Sequence, residues 1–463
     1  MIFLCMCMSK IKPLLLIFDY NRVIELYLGM PGFIKLLFSL FILLFTIAGC
    51  KMQTESGASA DVKQLKGLLG QKEYFKLQTQ FDLSSNTLDV KDRLYFKAFL
   101  DNAFNRNYDC IAAVDSLFKG YSYGLNDSAK YTLRHLETDS YFKTYQYAKA
   151  AASDSAILKT YAHVLSKEDV GDIKNDLLRY NALKEVSPQE TIIKNNTSIP
   201  WTKDKIGLIE IPVISQKKTF SAIFDTRANI SSISRTYASK LGLRILDATY
   251  NEGSGATGIT FKTGIGIADS LIIGDITVKN VVFQVMPDSI LYIAPIKFQL
   301  NIILGFPVIE QLQEVDLYKD GRMVIPLTPA KSDLHNLALD ALDLVLSVRS
   351  GQDTLSFYFD SGAVTSDLYS AYFEKYKKNV IKTGVKKTVE IGGAGGSQKK
   401  EVFILPKLNL LLGDKPATID SISVHTKKDY PHQLFYGNLG QDFMANFSGM
   451  VFNFKYMYVK GVK

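Results

Sequence analysis

An internal repeat in the second half of the chain restricts its fold more than any other feature of the sequence. The 19 residues that end at Asp225 (GLIEIPVISQKKTFSAIFD) align without a gap with the 19 that end at Asp360 (LDLVLSVRSGQDTLSFYFD), and apolar positions mostly fall on apolar positions. Gly305 lies 80 residues after the first Asp, and Gly440 lies 80 residues after the second. Equal offsets indicate an internal duplication, and therefore two copies of one structural unit.

Each copy is predicted to consist mainly of β-structure. In both, a strand, a polar turn and a second strand lead into the Asp, and short runs of alternating apolar residues follow. A Gly-rich stretch comes about 30 residues after each Asp, at 253–258 in the first copy and at 392–397 in the second. Short strands with Gly-rich turns favour two β lobes, which we place at residues 203–329 and 338–463.

The turns after the two Asp-terminated strands carry a family resemblance. The Asp-Ser-Gly turn at 360–362, placed behind two aromatic residues and followed by a Gly-rich segment and a strand ending in Leu-Gly, is similar to one lobe of a retropepsin-type aspartic protease. The Asp-Thr-Arg turn at 225–227 resembles the same motif with Arg in place of Gly. The resemblance covers residues 200–463, and two ordered copies are far more specific than one Asp-Ser-Gly, whose residues are all common in turns.

The resemblance implies a set of catalytic residues. Asp225 and Asp360 would form a dyad, one from each lobe, that shares a proton and activates one water for peptide hydrolysis without a metal or a cofactor. Thr226 and Ser361 would lock the two turns together, and Gly362 would complete the second turn. Which Asp acts as acid and which as base stays open, because such a pair titrates as a unit.

The two Gly-rich stretches would be flaps, that is, mobile hairpins that close over an extended peptide substrate. Gly255 and Gly258 belong to the first stretch, and Gly393 and Gly395 belong to the second. Plain surface turns are the alternative. The first stretch also fits the dinucleotide-binding pattern G-x-G-x-x-G, but residues 259–262 do not open a helix as a phosphate site requires.

Arg227 is the departure from the family pattern that bears on activity. Gly at this position would allow a tight turn, whereas Arg adds a cation beside the dyad. An opposite charge within about 4 to 6 Å lowers a carboxylate pKa by roughly 1 to 3 units, which would favour loss of the shared proton. Two outcomes stay open. Asp225 is a salt-bridged structural residue in an inactive peptide-binding module, or the Arg side chain points outward and the chain is an aspartic endopeptidase.

The chain before the repeat is predicted to be helical. Between residues 62 and 186 apolar and aromatic side chains recur at helical spacing, and residues 187–202 read as a linker. The segments 107–112 and 145–150 are weakly similar to tetratricopeptide-like helical hairpins. The helical domain is interpreted either as a packing domain or as a platform for a protein partner or a polypeptide substrate. The predicted fold class is multidomain α + β, with a helical domain followed by two all-β lobes.

The N-terminal segment carries a targeting pattern. Twelve mostly apolar residues at 36–47 precede an Ile-Ala-Gly-Cys motif that ends at Cys50 and resembles the lipobox of bacterial lipoproteins. The resemblance implies that residues 1–49 are removed, that Cys50 is lipidated, and that residues 50–61 tether the protein to a membrane of the bacterial cell envelope. An ordinary cleaved signal peptide or a short anchor helix is the alternative. We expect translation to start at Met30.

Charge and the remaining motifs argue against several other functions. The net charge of +8 comes from Lys and Arg scattered through the chain, without an RNP, zinc-finger or helix-turn-helix pattern, so nucleic acid is not expected as a partner. The five His residues show no metal-binding spacing, and no G-x-S-x-G elbow occurs. We expect no metal and no cofactor. Removal of the signal segment would leave Cys110 as the free thiol and would allow no internal disulfide.

Overall fold

The structure, a computed structural model, describes residues 60–253, 260–393, 396–429 and 433–463. The predicted lipidation site Cys50 and the flap residues Gly255, Gly258 and Gly395 lie outside these ranges. Residues Leu65–Lys463 form one compact unit, to which the following description applies.

Helices make up the first part of the described chain, as the apolar spacing predicted. They are α1 (60–70), α2 (Tyr74–Ser84), α3 (Val90–Ala103), α4 (Asn107–Gly120), α5 (Asp127–Lys143), α6 (Tyr147–Thr160) and α7 (Lys167–Leu183). Three of them begin where a side chain accepts a hydrogen bond from the backbone N–H three residues further on, with Asp89, Asn126 and Ser166 as the capping residues. Successive helices pack against each other around buried side chains such as Phe96 and Leu100.

The first lobe is built on a nine-stranded sheet. Its strands and those beside it are β1 (Glu190–Ile192), β2 (Thr197–Pro200), β3 (Thr202–Lys203), β4 (Ile209–Ser215), β5 (Lys218–Phe224), β6 (Ser231–Ser234), β7 (Arg244–Gly253), β8 (Thr260–Ile273), β9 (Ile276–Met286), β10 (Tyr292–Ile293), β11 (Phe298–Gln299) and β12 (Ile302–Leu304). The order in the sheet is β1-β9-β6-β12-β5-β4-β8-β7, with β3 paired to β4. Two short helices, α8 (Arg235–Leu241) and α9 (Phe306–Glu310), complete the lobe.

The second lobe is built on an eight-stranded sheet. Its strands are β15 (Leu337–Asp340), β16 (Asp343–Ser350), β17 (Asp353–Phe359), β18 (Asp367–Leu368), β19 (Val385–Gly393), β20 (Gly396–Leu412), β21 (Lys415–His425) and β22 (Gly437–Leu439). Their order is β15-β16-β17-β22-β18-β21-β20-β19, and helices α10 (Ser370–Thr383) and α11 (Gln441–Met444) flank them. The mixed α + β fold class predicted from the sequence is thereby confirmed.

A third sheet, which we call the interlobe sheet, joins the two lobes. It contains β2, β13 (Glu314–Tyr318), β14 (Arg322–Ile325), β23 (Gly449–Asn453) and β24 (Tyr458–Val462) in the order β2-β14-β13-β23-β24. Strand β13 follows the first lobe and pairs antiparallel with β23 of the second, with Val315 opposite Phe452. Both of these side chains are buried, so the sheet supplies a shared core to the two halves.

The two lobes repeat one arrangement of central strands. In the first lobe β5 pairs parallel with β12, where Ile223 lies opposite Ile303, and β12 pairs antiparallel with β6. In the second, β17 pairs parallel with β22, where Tyr358 lies opposite Asn438, and β22 pairs antiparallel with β18. Each residue of the second lobe in these pairs lies 135 positions after its counterpart in the first. We refer to residues related in this way as counterparts.

None of the helices formed by the described residues combines the length and the apolar character that a membrane crossing needs.

Candidate active site

The two Asp turns begin directly after the central strands β5 and β17, and each Asp is held by the neighbouring strand, β12 or β22. The backbone N–H of Asp225 donates to the carbonyl of Leu304 at 3.1 Å, and the N–H of Asp360 donates to the carbonyl of Leu439 at 2.9 Å. Each turn then folds back on its own carboxylate. Parallel pairing with β12 and with β22 therefore brings both carboxyl groups to matching places in the two lobes.

Backbone N–H groups hold both carboxylates in their turns. The N–H of Arg227 donates to Oδ1 of Asp225 at 2.9 Å, and that of Ala228 donates to the same oxygen at 3.1 Å. In the second lobe the N–H of Gly362 donates to Oδ1 of Asp360 at 2.8 Å. The replacement of Gly by Arg has thus left the backbone geometry of the first turn in place.

Thr226 and Ser361 join the two turns by reciprocal hydrogen bonds. The backbone N–H of Thr226 donates to the hydroxyl of Ser361 at 3.0 Å, and the N–H of Ser361 donates to the hydroxyl of Thr226, also at 3.0 Å. The Ser361 hydroxyl in turn donates to the carbonyl of Phe224 at 2.8 Å. Both side chains are buried, so these bonds compete little with water and hold the Asp residues of the two lobes at a fixed separation.

The Leu-Gly pairs at the ends of β12 and β22 are explained by a close approach of two backbones. A Cβ atom on Gly305 would lie 2.4 Å from the carbonyl oxygen of Ala228, and one on Gly440 would lie 2.6 Å from the carbonyl oxygen of Ala363. Any side chain at either position would push the inner strand away from the turn that carries the Asp. The Gly residues at the 80-residue offset are therefore a packing requirement of the site.

The two carboxyl groups lie close together and are half-buried between the turns. The side chain of Asp225 is a hydrogen-bond partner of Asp360, and a Cβ atom on Gly362 would lie 2.6 Å from the Cγ atom of Asp225. Burial, and then the nearby charge of Asp360, raise the pKa of Asp225 to about 7. Burial also raises the pKa of Asp360, although the Arg227 charge and the Gly362 N–H oppose that rise. The pair therefore retains a proton up to about neutral pH.

The Arg227 side chain leaves the first turn and enters the second lobe. Its Nη1 atom donates to the hydroxyl of Tyr369 at 3.2 Å and to Oδ1 of Asn438 at 3.3 Å. Its Nε atom lies 3.5 Å from Oδ1 of Asp343, and its guanidinium carbon lies 4.2 Å from the centre of the Tyr358 ring. The ion pair that Arg227 forms within the described part of the chain is thus with Asp343.

The Arg227 charge acts on the pKa values of the dyad in the expected direction, but it is not the largest influence on them. Its charge lowers the pKa of both Asp225 and Asp360, whereas burial, which has the larger effect, raises the pKa of both. Asp343 was not among the residues singled out from the sequence. The 135-residue offset between the lobes is the signal that could have identified Asp343. Its counterpart in the first lobe is the buried Leu208, and a carboxylate in place of a buried Leu requires a partner.

Two further close contacts between side chains lie beyond the dyad. His425 Nε2 lies 2.9 Å from Oδ2 of Asp367, and Lys72 Nζ lies 2.7 Å from Oδ1 of Asp340. No group of three or more His, Cys, Asp or Glu side chains suited to a metal ion occurs among the described residues.

The hairpins that carry the predicted flaps differ in their surroundings. In the second lobe Gly393 ends β19 opposite Gly396, and most residues of β19 are exposed. In the first lobe β7 packs against helix α7, where the Asn175 side chain both donates to the carbonyl and accepts from the N–H of Asn251, each at 2.7 Å. The guanidinium carbon of Arg179 also lies 5.7 Å from the centre of the Tyr250 ring. The helical region therefore supports the first hairpin.

A comparison with protein families gives a match within the first lobe. Residues 211–308 match the model of a family described as aspartyl protease. The matched segment runs from β4 to α9 and includes the turn in which Arg replaces Gly. No curated protein matches the chain. Residues 211–308 of the first lobe are therefore similar to the aspartyl protease family, and the second lobe repeats the central strands and the Asp turn of the first.

Proposed function

We propose that the chain is an aspartic endopeptidase that hydrolyses peptide bonds with the dyad Asp225 and Asp360. The observation that carries this proposal is the pair of half-buried carboxyl groups that lie against each other between two locked turns, with the pKa of Asp225 raised to about 7. One carboxyl protonated and one ionised is the state that acid–base hydrolysis by a dyad requires. The geometry keeps that state available in acidic and near-neutral solution.

The reaction follows from the shared proton. The ionised carboxylate takes a proton from a water molecule, whose oxygen forms a bond to the scissile carbonyl carbon, while the protonated carboxyl donates its proton to the carbonyl oxygen. In the tetrahedral intermediate the C–N bond then breaks, the nitrogen takes a proton from the dyad, and the dyad regains one from the intermediate. No covalent bond to the protein forms, and the dyad ends with the single proton with which it began.

An extended polypeptide is the substrate that suits the cleft between the lobes, because the β7–β8 and β19–β20 hairpins can add backbone hydrogen bonds along it. We further propose that lipidation of Cys50 holds the protein in the bacterial cell envelope. Its substrate would then be an envelope peptide or protein, and the helical region would present a surface to a protein partner.

The test is cleavage of a mixed peptide library by the purified chain from about pH 3 to 8, a range that brackets the titration expected of a coupled carboxylate pair. Asp360→Asn and Asp225→Asn are compared with the exposed control Asp414→Asn, whose side chain is 82% accessible. We expect cleavage that the dyad variants abolish and the control retains. Cleavage that survives Asp360→Asn would overturn the proposal.

Arg227 favours a second candidate, a peptide-binding module without catalysis. A cation beside the dyad lowers the pKa of both carboxyl groups, which works against retention of the shared proton. If the parent chain binds peptides and does not cleave them, and Arg227→Gly gains cleavage, this second function is correct. Cleavage by the parent chain excludes it.

A further inference from the structure

The surroundings of the dyad differ in polarity between the two lobes. On the first-lobe side, Leu208, Ile223 and Ile303 belong to one apolar cluster that also includes Leu291 and Leu300. The counterparts of the first three on the second-lobe side are Asp343, Tyr358 and Asn438. A carboxylate, a phenol and an amide thus replace three aliphatic side chains at equivalent places.

The apolar cluster of the first lobe reaches the catalytic turn. Ala228, three positions after Asp225, packs against it, as do the partly buried side chains of Ile293 and Phe298. The residue of the opposite turn that is the counterpart of Arg227 is Gly362, which has no side chain to place there. An apolar side chain of a substrate on this side of the dyad would therefore meet the partly buried Ala228, Ile293 and Phe298.

Arg227 accounts for the polar surroundings on the other side. As the counterpart of Gly362 it sends a guanidinium group into the second lobe, where Asp343, Tyr369 and Asn438 contact it. Its aromatic neighbour Tyr358 supports one face of the group. The cation is therefore held in a fixed position beside Asp360.

The guanidinium group keeps hydrogen-bonding capacity for a ligand. Of its five N–H donors, those on Nη1 contact Tyr369 and Asn438, and Nε pairs with Asp343. Nη2 forms no hydrogen bond with any residue that the structure describes. The Arg227 side chain is 23% exposed, so a group in the cleft can reach it.

Nearby acids do not cancel the charge of Arg227. Burial raises the pKa of Asp343 to about 6, so this carboxyl is largely protonated in acidic solution. Asp340, the next acid along β15, is bound by Lys72 at 2.7 Å and by the hydroxyl of Tyr74 at 2.9 Å. Below about pH 6 the carboxyl group nearest to the guanidinium is therefore largely neutral, and Arg227 remains a cation beside the dyad.

We infer that Arg227 is an anion-binding subsite next to the scissile bond. It takes the side-chain carboxylate of a Glu or Asp residue on the second-lobe side, while the apolar cluster takes an apolar side chain on the first-lobe side. The substrate class is thus a polypeptide with an apolar residue on one side of the cleaved bond and an acidic residue on the other. The inference rests on the proposed function for cleavage, but its binding component can be measured separately.

The test uses peptides that place Leu on one side of the central bond and either Glu or Gln on the other, in both orders. With the full chain we expect kcat/KM to be about tenfold or more higher for the Glu peptide in the preferred order, because hydrogen bonds to charged groups are about that strong. Arg227→Gln should remove this preference mainly through KM. The control Arg349→Gln, an exposed Arg on β16, should retain it.

A second measurement separates the inference from the proposed function. Peptides of the same sequences with a reduced, uncleavable central amide are bound to the unmodified chain and followed by calorimetry. Tighter binding of the uncleavable Glu peptide, together with no cleavage of any of the cleavable peptides, would uphold the subsite and defeat the endopeptidase. Cleavage with equal kcat/KM for Glu and Gln, or a Glu preference that survives Arg227→Gln, would defeat the subsite and leave the endopeptidase standing.

Discussion

Gly362 and Arg227 are counterparts, and the space beside each differs. The Cα atom of Gly362 packs against the carboxyl group of Asp225, where an added Cβ would lie 2.6 Å from Cγ. Arg227 carries its Cβ without such a clash, because its side chain continues into the second lobe toward Asp343. The residue at this one position in each lobe therefore determines what packs against the dyad.

We predict that Gly362→Ala displaces Asp225 and lowers kcat by about a hundredfold or more, because small misplacements of reacting groups have effects of that size. Stability should fall by about 1 to 3 kcal/mol from overpacking. Peptide cleavage and urea unfolding measure the two effects. Gly171→Ala is the matched control, since a Cβ there meets no atom within 4 Å, and unchanged kcat in Gly362→Ala would contradict the packing argument.

The raised pKa of Asp225 predicts how activity depends on pH. Because this carboxyl loses its proton at about pH 7, kcat/KM should fall as pH rises through about 7. Arg227→Gln removes a charge that lowers the pKa of both carboxyl groups, so the basic limb of its profile should move to higher pH. If the basic limb of the kcat/KM profile moves to lower pH in Arg227→Gln, the assignment of this limb to the dyad is wrong.

The same carboxyl predicts a trend in folding stability. Its folded pKa lies above the unfolded value, so between about pH 4 and 7 the unfolded chain has released a proton that the folded chain still holds. Burial of Asp225 therefore makes the protein less stable as pH rises through this window. In urea titrations from pH 4 to about 7, Asp225→Asn should show a shallower loss of stability than the parent, whereas an equal slope would sink this prediction.

At the scale of elements, the contact between helix α7 and strand β7 links the helical region to the first hairpin. Asn175→Ala removes two hydrogen bonds to the backbone of Asn251. We predict faster amide hydrogen exchange in β7 and a stability loss of about 1 to 2 kcal/mol, since such bonds contribute about 0.5 to 1.5 kcal/mol each. Exchange measured by mass spectrometry tests this. Asn379→Ala on α10 is the control, and unaltered exchange in β7 would refute the link.

Elements differ in how far the sequence predicts them. The repeat located Asp225 and Asp360 at equivalent positions, and the resemblance of their turns to those of aspartic proteases implied that the two residues meet. Apolar spacing likewise predicted the helices up to Leu183. The contact of Asn175 with β7, and the course of the Arg227 side chain, could not be predicted, because neither follows from a period along the chain. Both depend on which distant surfaces meet after the lobes have formed.

At the scale of the molecule, the interlobe sheet connects stability to the site. Phe452 on β23 is 1% exposed, and its ring centre lies 4.9 Å from that of Phe359, the residue before Asp360. Phe452→Ala should lower stability by about 3 to 5 kcal/mol, as for other buried Phe residues. Trp201 reports the transition, since its indole donates to the carbonyl of Tyr318 on β13 at 3.0 Å.

Urea unfolding followed by Trp201 fluorescence measures this effect, with the half-exposed Leu327→Ala as control. We expect the fluorescence transition and the loss of peptide cleavage to shift together, because β13 and β23 share one sheet. Two separate transitions would show that the lobes unfold independently.

Because the two lobes belong to one chain, they can carry different residues at equivalent positions, which two identical subunits cannot do. If one lobe paired with a second copy of itself about a twofold axis, every substitution would appear twice, and two guanidinium groups would face each other across the dyad. Here the position opposite Arg227 is occupied by Gly362, against which the Asp225 carboxyl packs. One half of the chain can therefore carry a charge while the other keeps the glycine against which the Asp225 carboxyl packs. Two unlike copies within one chain thus form a site with two distinguishable ends.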